Sequence, residues 1–362
     1  MKILYLTTAI EENIYSSLLK EGKKVTNPSN ENFHNKLITS LKEEFEVTVF
    51  SAPSIKTRGD KCNNSFLYFP YQNKIEAFFA FKKLKKAIAK WQGDLIIFDS
   101  LSRPIGKVLR GKKDIPLCPI LTDDPANISN VKEKYIKAIH RNCDENDFAI
   151  ALTPSLGDLF KIKKENVFLL EGLIRDYLPE KKEVKEPYLY FGGCLLARFG
   201  LPALLKAYQK VKPPFPLYVS GHEEKPSFPE GVTFLGQISE KEHLSFLSNC
   251  FMAINPRPFN KEIDQYSIPS KMFEYLSFSP RVASTKNSFF EKHFANSINW
   301  INEGSDEDFL NLFMKLKDNP DTFIKVKKED KEKLKELYSY SSISKAIKNF
   351  FENKGLLKSS QK

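Results

Sequence analysis

The chain has 362 residues, of which 41% are hydrophobic and 28% charged, and a formal net charge of +11. That length exceeds one ordinary α/β core and suits two domains. No apolar stretch approaches the length that spans a bilayer, and the opening run Met1-Lys-Ile-Leu-Tyr-Leu-Thr-Thr8 is too short for a secretory h-region. The expected location is therefore the cytoplasm. A basic excess suits nucleic acid, an anionic membrane or a phosphorylated substrate, and by itself does not choose among them.

Short apolar runs alternate with helical patterns from the first residues. Strands are expected at Lys2–Thr7, Val47–Ser51, Phe66–Phe69, Leu95–Phe98, Leu117–Thr122, Ala149–Thr153 and Val167–Leu170. Most are continuous runs rather than alternating ones, the pattern of a parallel sheet covered by helices on both faces. Helical periodicity is clear at Glu31–Glu44 and Ile75–Trp91. Five scattered cysteines, Cys62, Cys118, Cys143, Cys194 and Cys250, have no CxxC spacing, so no zinc site is expected and the thiols read as small core residues.

Leu178–Pro187 is charged and bracketed by prolines, which reads as a linker. The alternation then restarts. Strands are expected at Tyr188–Phe191, Leu217–Ser220, Val232–Leu235, Met252–Asn255 and Arg281–Ser284. Helices are expected at Pro202–Lys210, Glu240–Leu247, Pro269–Leu276 and Asp306–Lys317. One more amphipathic helix closes the pattern at Ser341–Asn353, and Leu357–Lys362 reads as a disordered tail. The expected division is residues 1–180, 181–340 and 341–362. Two such halves place a ligand cleft between them, with strand-end loops facing it.

Several strand ends carry residues suited to phosphate chemistry. Gly192 and Gly193 end the first strand of the second half. Glycines there let backbone N–H groups approach a phosphate, and Arg198 lies close by in sequence. The plainer alternative is a tight turn with a surface arginine. Gly221 and Gly236 end the next two strands in the same way. Within Ser267-Ile-Pro-Ser-Lys-Met-Phe-Glu-Tyr-Leu276, Pro269 suits a first helical turn, and Lys271 and Glu274 share a helical face. Ser270 and the helix start can hold a diphosphate, while Glu274 can accept from ribose hydroxyls. A capped surface helix with an i,i+3 ion pair explains the same residues.

Taken in order, Tyr188 to Thr285 resembles the donor domain of the GT-B glycosyltransferases, in particular the retaining family 4. The resemblance rests on Gly192-Gly193, Arg198-Phe-Gly200, Val219-Ser-Gly221, Val232-Thr-Phe-Leu-Gly-Gln-Ile238, His243-Leu244 and Pro269-Ser-Lys-Met-Phe-Glu-Tyr-Leu276. It implies two Rossmann-like domains facing a cleft and a final helix that crosses back to the first. It implies that Glu274 binds the donor ribose and that Ser270 and Lys271 face the diphosphate of a UDP- or GDP-linked sugar, with no metal. It also implies transfer with retention to a growing, lipid-linked bacterial glycan. Two departures stand out. Ser267 replaces a second glutamate, with Glu262 and Asp264 out of register, and Phe199 displaces the basic residue beside Gly200.

The first half resembles the acceptor domain of these enzymes less specifically. Asn27–Lys36 resembles a loop and helix start of surface-polysaccharide enzymes, in which His34 could meet sugar hydroxyls or else sit on a helix surface. Asp123 and Asp124 follow a buried strand, where they could orient an acceptor hydroxyl, stabilise positive charge at the anomeric carbon, or cap the turn at Pro125. Asp306-Glu-Asp308 has the form of a metal-binding pair but opens a helix after Gly304-Ser305, so a capped first turn is expected. Phe78–Trp91 is basic and aromatic, with one apolar face and one lysine face. Such a helix suits the inner face of an anionic membrane or simple core packing. Two other functions share the architecture: a sugar-nucleotide epimerase, and a non-catalytic subunit supporting a partner glycosyltransferase. Nucleic acid is not expected as a partner, because the basic residues are dispersed.

Overall fold

In the computed structural model, which describes residues 1–21, 28–54, 66–112, 114–128, 131–176, 179, 186–221 and 227–356, the chain divides into two units. The first comprises Met1–Leu173, Gln265–Ser267 and Tyr340–Lys362; the second comprises Ile174–Asp264 and Ile268–Ser339. Of the expected linker at Leu178–Pro187, all but Pro179, Glu186 and Pro187 lie outside the described residues, as do Asn27, Cys62 and the Leu357–Lys362 tail.

The apolar runs of the first unit form β1 (Lys2–Thr7), β2 (Glu46–Ser51), β3 (Phe66–Tyr68), β4 (Leu95–Asp99), β5 (Leu117–Leu121), β6 (Ala149–Ala151) and β7 (Val167–Leu169). They pair in the order β3-β2-β1-β4-β5-β6-β7, all parallel. Leu4, Leu6, Ile96 and Phe98 are fully buried, which is why these strands lack a polar alternation. The order reverses between β1 and β4, so the carboxyl ends Thr7 and Asp99 flank a switch point, the usual ligand position in such a sheet.

The Tyr340–Asn353 helix belongs to this first unit, the return expected of it. It lies against the Pro28–Leu41 helix, burying Ile343, Ile347 and Phe351. Each such side chain contributes about 1.5–3 kcal/mol. Ser40 Oγ donates to the Tyr340 carbonyl at 2.8 Å, and Lys348 pairs with Glu44 at 2.7 Å.

The Lys74–Lys90 helix departs from the expected two faces. Its core side is narrow, with Ala80, Leu84 and Ile88 buried. The lysines share the outer side with Ile75, Phe78 and Phe79.

The second unit contains β8 (Leu189–Gly192), β9 (Leu217–Ser220), β10 (Val232–Gly236), β11 (Met252–Asn255), β12 (Val282–Thr285) and β13 (Asn299–Ile301). Their order is β10-β9-β8-β11-β12-β13, again all parallel, with the switch point between β8 and β11. β13 was not expected: its Asn-Trp-Ile sequence is mixed, and Asn299 and Trp300 are only partly buried at the sheet edge. Cys118, Cys143 and Cys250 are buried as core residues, and Cys194 is partly buried. Burial pushes the Cys250 thiol up to about 12, so it is no ready nucleophile.

Gly200 marks where the chain must turn tightly. Its φ is 85°, and a Cβ there would strike the Pro256 carbonyl oxygen. Gly200→Ala combines a left-handed backbone with a backbone clash, so we expect a loss of about 3 kcal/mol or more. For a unit of this size that lowers Tm by about 6–12 °C. An unchanged melting curve would show that the turn relaxes freely.

Candidate active site

At the end of β8 the two glycines make room for different partners. A Cβ on Gly192 would lie 2.8 Å from the His243 ring, and one on Gly193 would land on the Lys271 ammonium. Gly193 has φ 151°, a conformation that also favours glycine. The Gly-Gly pair and the Lys271–Phe278 helix therefore form one constellation, although about eighty residues separate them in sequence.

Their backbone N–H groups already have partners within the fold. The Gly192 N–H donates to Tyr275 Oη at 2.9 Å, and Tyr275 Oη donates back to the Gly192 carbonyl at 3.0 Å. The Gly193 N–H donates to the Ser220 carbonyl at 3.0 Å, and the Gly221 N–H to the Gly236 carbonyl at 2.9 Å. The Gly193 and Gly221 amides are thus bonded to neighbouring strand ends and the Gly192 amide to a helix tyrosine. Gly192 and Gly193 also clear space for the His243 and Lys271 side chains. Gly236 ends β10, two strands from β8; at about 4.8 Å per strand it sits roughly 10 Å away and belongs to the stitching of the edge.

Positive charge gathers at the same edge. The Lys271 ammonium lies 4.4 Å from the centre of the Phe191 ring. Burial pushes its pKa down to about 8; Cys194 opposes the shift and Arg257 adds to it. The ring of Phe199 carries Arg198 at 4.9 Å and Arg257 at 5.9 Å. Phe199, which displaces the expected basic residue, thus carries two guanidinium groups. Arg257 was missed in the sequence because it follows β11 and no motif flags it. Ser270 is exposed at the N-cap of the Lys271–Phe278 helix, with no side-chain cap bond. That helix end adds partial positive charge.

Glu274 is 8% exposed, and its Oε2 lies 3.3 Å from His243 Nε2. His243 Nδ1 lies 2.7 Å from Tyr190 Oη, which lies 2.7 Å from Ser220 Oγ. Burial raises the Tyr190 hydroxyl well above its usual pKa, so it remains a phenol that can donate. One proton arrangement satisfies the whole chain: Ser220 donates to Tyr190, Tyr190 to Nδ1, and the Nε2 proton to Glu274. His243, Tyr190 and Tyr275 brace the site, and sequence reading did not single out their roles. Tyr190 looked like strand core, and its link to His243 depends on topology.

The expected second glutamate has no substitute in its neighbours. Glu262 is exposed, while Asp264 accepts from Ser288 N at 3.1 Å and from the Asn287 amide, at the start of the Ser288–Phe294 helix. Asp306-Glu-Asp308 opens a helix through a Ser305–Asp308 capping box. Among the described residues no cluster of His, Cys, Asp or Glu is arranged to hold a metal.

In the first unit His34 sits neither on a helix surface nor in the open. It is 1% exposed, with Nδ1 2.6 Å from Tyr5 Oη and Nε2 3.6 Å from Asp99 Oδ2. Packing beneath the β1–β4 switch point explains this, and any influence of His34 on a ligand must pass through Asp99 or Tyr5. Glu31 lies nearby in the same helix, 4% exposed and accepting from Ile10 N at 2.6 Å; burial pushes its carboxyl up to about 8. Asp124 Oδ1 accepts from Ala126 N at 2.8 Å, capping the turn at Pro125. Asp123, beside it, is half-buried after β5.

Two parallel Rossmann-like sheets of these strand orders, the second with a glycine-lined edge and a basic helix start, define the GT-B fold. Solved structures share it across nearly the whole chain. Sucrose-phosphate synthase from Thermosynechococcus elongatus superposes with a TM-score of 0.72 at 14% identity, covering 98% of this chain and 99% of that one. HepE from Anabaena, in complex with UDP-glucose, gives 0.65 at 12% identity, covering 98% and 100%. A candidate UDP-N-acetylglucosamine 2-epimerase from Listeria monocytogenes gives 0.58 at 11% identity, covering 97% of each chain. No protein-family model matches the sequence. No curated protein matches it.

Proposed function

We propose that this chain transfers a sugar from a nucleoside diphosphate, UDP or GDP, to a growing carbohydrate acceptor. The observation that carries the reading is the pairing of Lys271 with Gly193 beside a Glu274 braced by His243, at one strand end. Lys271, Arg198 and Arg257 would neutralise the leaving diphosphate without a metal. Glu274 would accept from the ribose hydroxyls. The binding of UDP-glucose by HepE on the same fold supports a nucleotide-sugar donor.

The acceptor would meet the first unit near Asp123 and Asp124, with His34 acting through Asp99. We further propose retention of configuration and a lipid-linked glycan acceptor of a bacterial cytoplasm, as the family 4 resemblance implies. Nucleotide binding is read first, with UDP and GDP as probes. Labelled UDP- and GDP-sugars are then mixed with the protein, with and without membrane glycolipid extract. Acceptor-dependent release of the nucleoside diphosphate is expected, and the anomeric configuration of the product reports retention. Donor conversion without acceptor would replace this reading with epimerisation. Transfer only on adding a second glycosyltransferase would make this chain a supporting subunit. Failure to bind either nucleotide would overturn the site.

A further inference from the structure

The outer side of the Lys74–Lys90 helix carries a surface that the catalytic reading does not use. Ile75 is 74% exposed, Phe78 65% and Phe79 55%, and the two phenylalanine rings meet edge to face at 5.5 Å. Leaving three large apolar side chains adjacent in water is costly for an isolated protein, and marks a contact surface. The opposite side, through Ala80, Leu84 and Ile88, is anchored in the core of the first unit. The helix therefore cannot roll to hide the phenylalanines.

Charge completes the pattern. Lys82, Lys83, Lys85 and Lys86 follow directly on the same helix and are exposed, as are Lys74 and Lys90 at its ends. At 100° per residue, Lys82 and Lys86 lie within about 40° of Ile75, between the arcs of Phe78 and Phe79. Glu76, the acidic residue within the helix, is drawn into the cap, accepting from Gln72 N at 2.8 Å and from the Asn73 amide at 2.9 Å. Asn73 in turn caps Ile75 and Glu76. A rigid start thus presents apolar tips, followed by a run of exposed positive charge. Aromatic and aliphatic tips enter the acyl boundary of a bilayer, and lysines beside them reach anionic headgroups.

We infer that the Lys74–Lys90 helix docks this protein on an anionic lipid surface, with Ile75, Phe78 and Phe79 inserted and the following lysines at the headgroups. The partner follows from complementarity: acidic lipid supplies both the apolar layer and the negative charge that this face needs. The inference stands apart from the transfer reading, because vesicle binding is measured without activity.

The full chain is mixed with vesicles of phosphatidylcholine alone, or with 30% phosphatidylglycerol, and sedimented. Binding is expected to the second only, weakening on the order of tenfold or more between 0.1 and 0.5 M salt. Each lysine near such a surface contributes about fivefold, so Lys82→Gln/Lys83→Gln/Lys86→Gln should bind about 10²-fold more weakly. Phe78→Ser/Phe79→Ser should lose about tenfold or more while the charge is unchanged. All these side chains are exposed, and unchanged melting curves confirm folding. A control of equal charge loss elsewhere, Lys163→Gln/Lys164→Gln/Lys210→Gln, should keep its binding within about threefold. Equal weakening by that control would reduce the effect to net charge and overturn the docking face. So would absence of vesicle binding, or a Phe78- and Phe79-dependent dimer in solution that does not bind vesicles.

Discussion

Replacing Lys271 by methionine is expected to lower kcat/KM for the sugar nucleotide by about 10²–10⁴-fold, the range for removing a partly desolvated charge that meets developing negative charge. The thioether keeps much of the volume against Phe191 and Gly193, so the loss reports charge rather than packing. The pH dependence gives a second readout. With a pKa of about 8, Lys271 is charged below that value and loses its proton above it. Binding of UDP or GDP, measured by calorimetry, should be flat below about pH 8 and weaken by up to about tenfold per unit above it. Lys271→Arg should bind with its own affinity but without that decline, because a guanidinium keeps its charge.

Stability should move the opposite way. Burial holds the folded pKa of Lys271 below the ordinary lysine value of about 10.4, so the charged form costs stability in full below about pH 8. That cost is relieved as pH rises from about 8 toward about 10.4. Lys271→Met should therefore melt a few degrees higher at pH 7 while failing to bind nucleotide, a local exchange of stability for function. Wild-type affinity in Lys271→Met would remove Lys271 from the site altogether.

Glu274→Gln is expected to weaken nucleotide binding by about 10²-fold, since hydrogen bonds to an ionised acceptor contribute about 1.5–3 kcal/mol each. Its specific signature is loss of discrimination. The natural protein should prefer UDP or GDP over the 2′,3′-dideoxy form by a similar factor, and Glu274→Gln should prefer neither. His243→Ala leaves the carboxylate in place but removes its brace at Nε2 and its link to Tyr190. A smaller loss, about tenfold, is expected there, with the sugar preference partly kept. If Glu274→Gln still distinguishes the ribose hydroxyls, the carboxylate serves only the His243 chain.

Much of the fold was legible because the buried parallel strands are unbroken apolar runs. Leu95–Phe98 and Met252–Asn255 could hardly be read otherwise. β13 escaped for the converse reason, being three mixed residues at an edge. The helix that carries Lys271 and Glu274 on one face was legible through local spacing. Their partners were not, because Tyr190, Ser220, His243 and Gly192 meet only after two strands and two helices have packed. Local periodicity carries no record of such meetings. The committed amides of Gly192, Gly193 and Gly221 make the same point: the glycine pattern was visible, but whether it donates hydrogen bonds or clears space depends on Ser220, Gly236 and Tyr275. His34 read as a sugar-facing or helix-surface residue, and its burial beside Tyr5 and Asp99 depends on strands far from it in sequence.

The Tyr340–Asn353 helix has a consequence for the order of assembly. Its buried Ile347 and Phe351 complete the first unit, yet they are synthesised after every residue of the second. The second unit, built from a later and almost continuous stretch, can close as soon as it emerges from the ribosome. The first must wait, with the Pro28–Leu41 helix lacking this neighbour until that last helix arrives. During synthesis the domain begun first is the one finished last, and that interval is when a chaperone has apolar surface to hold.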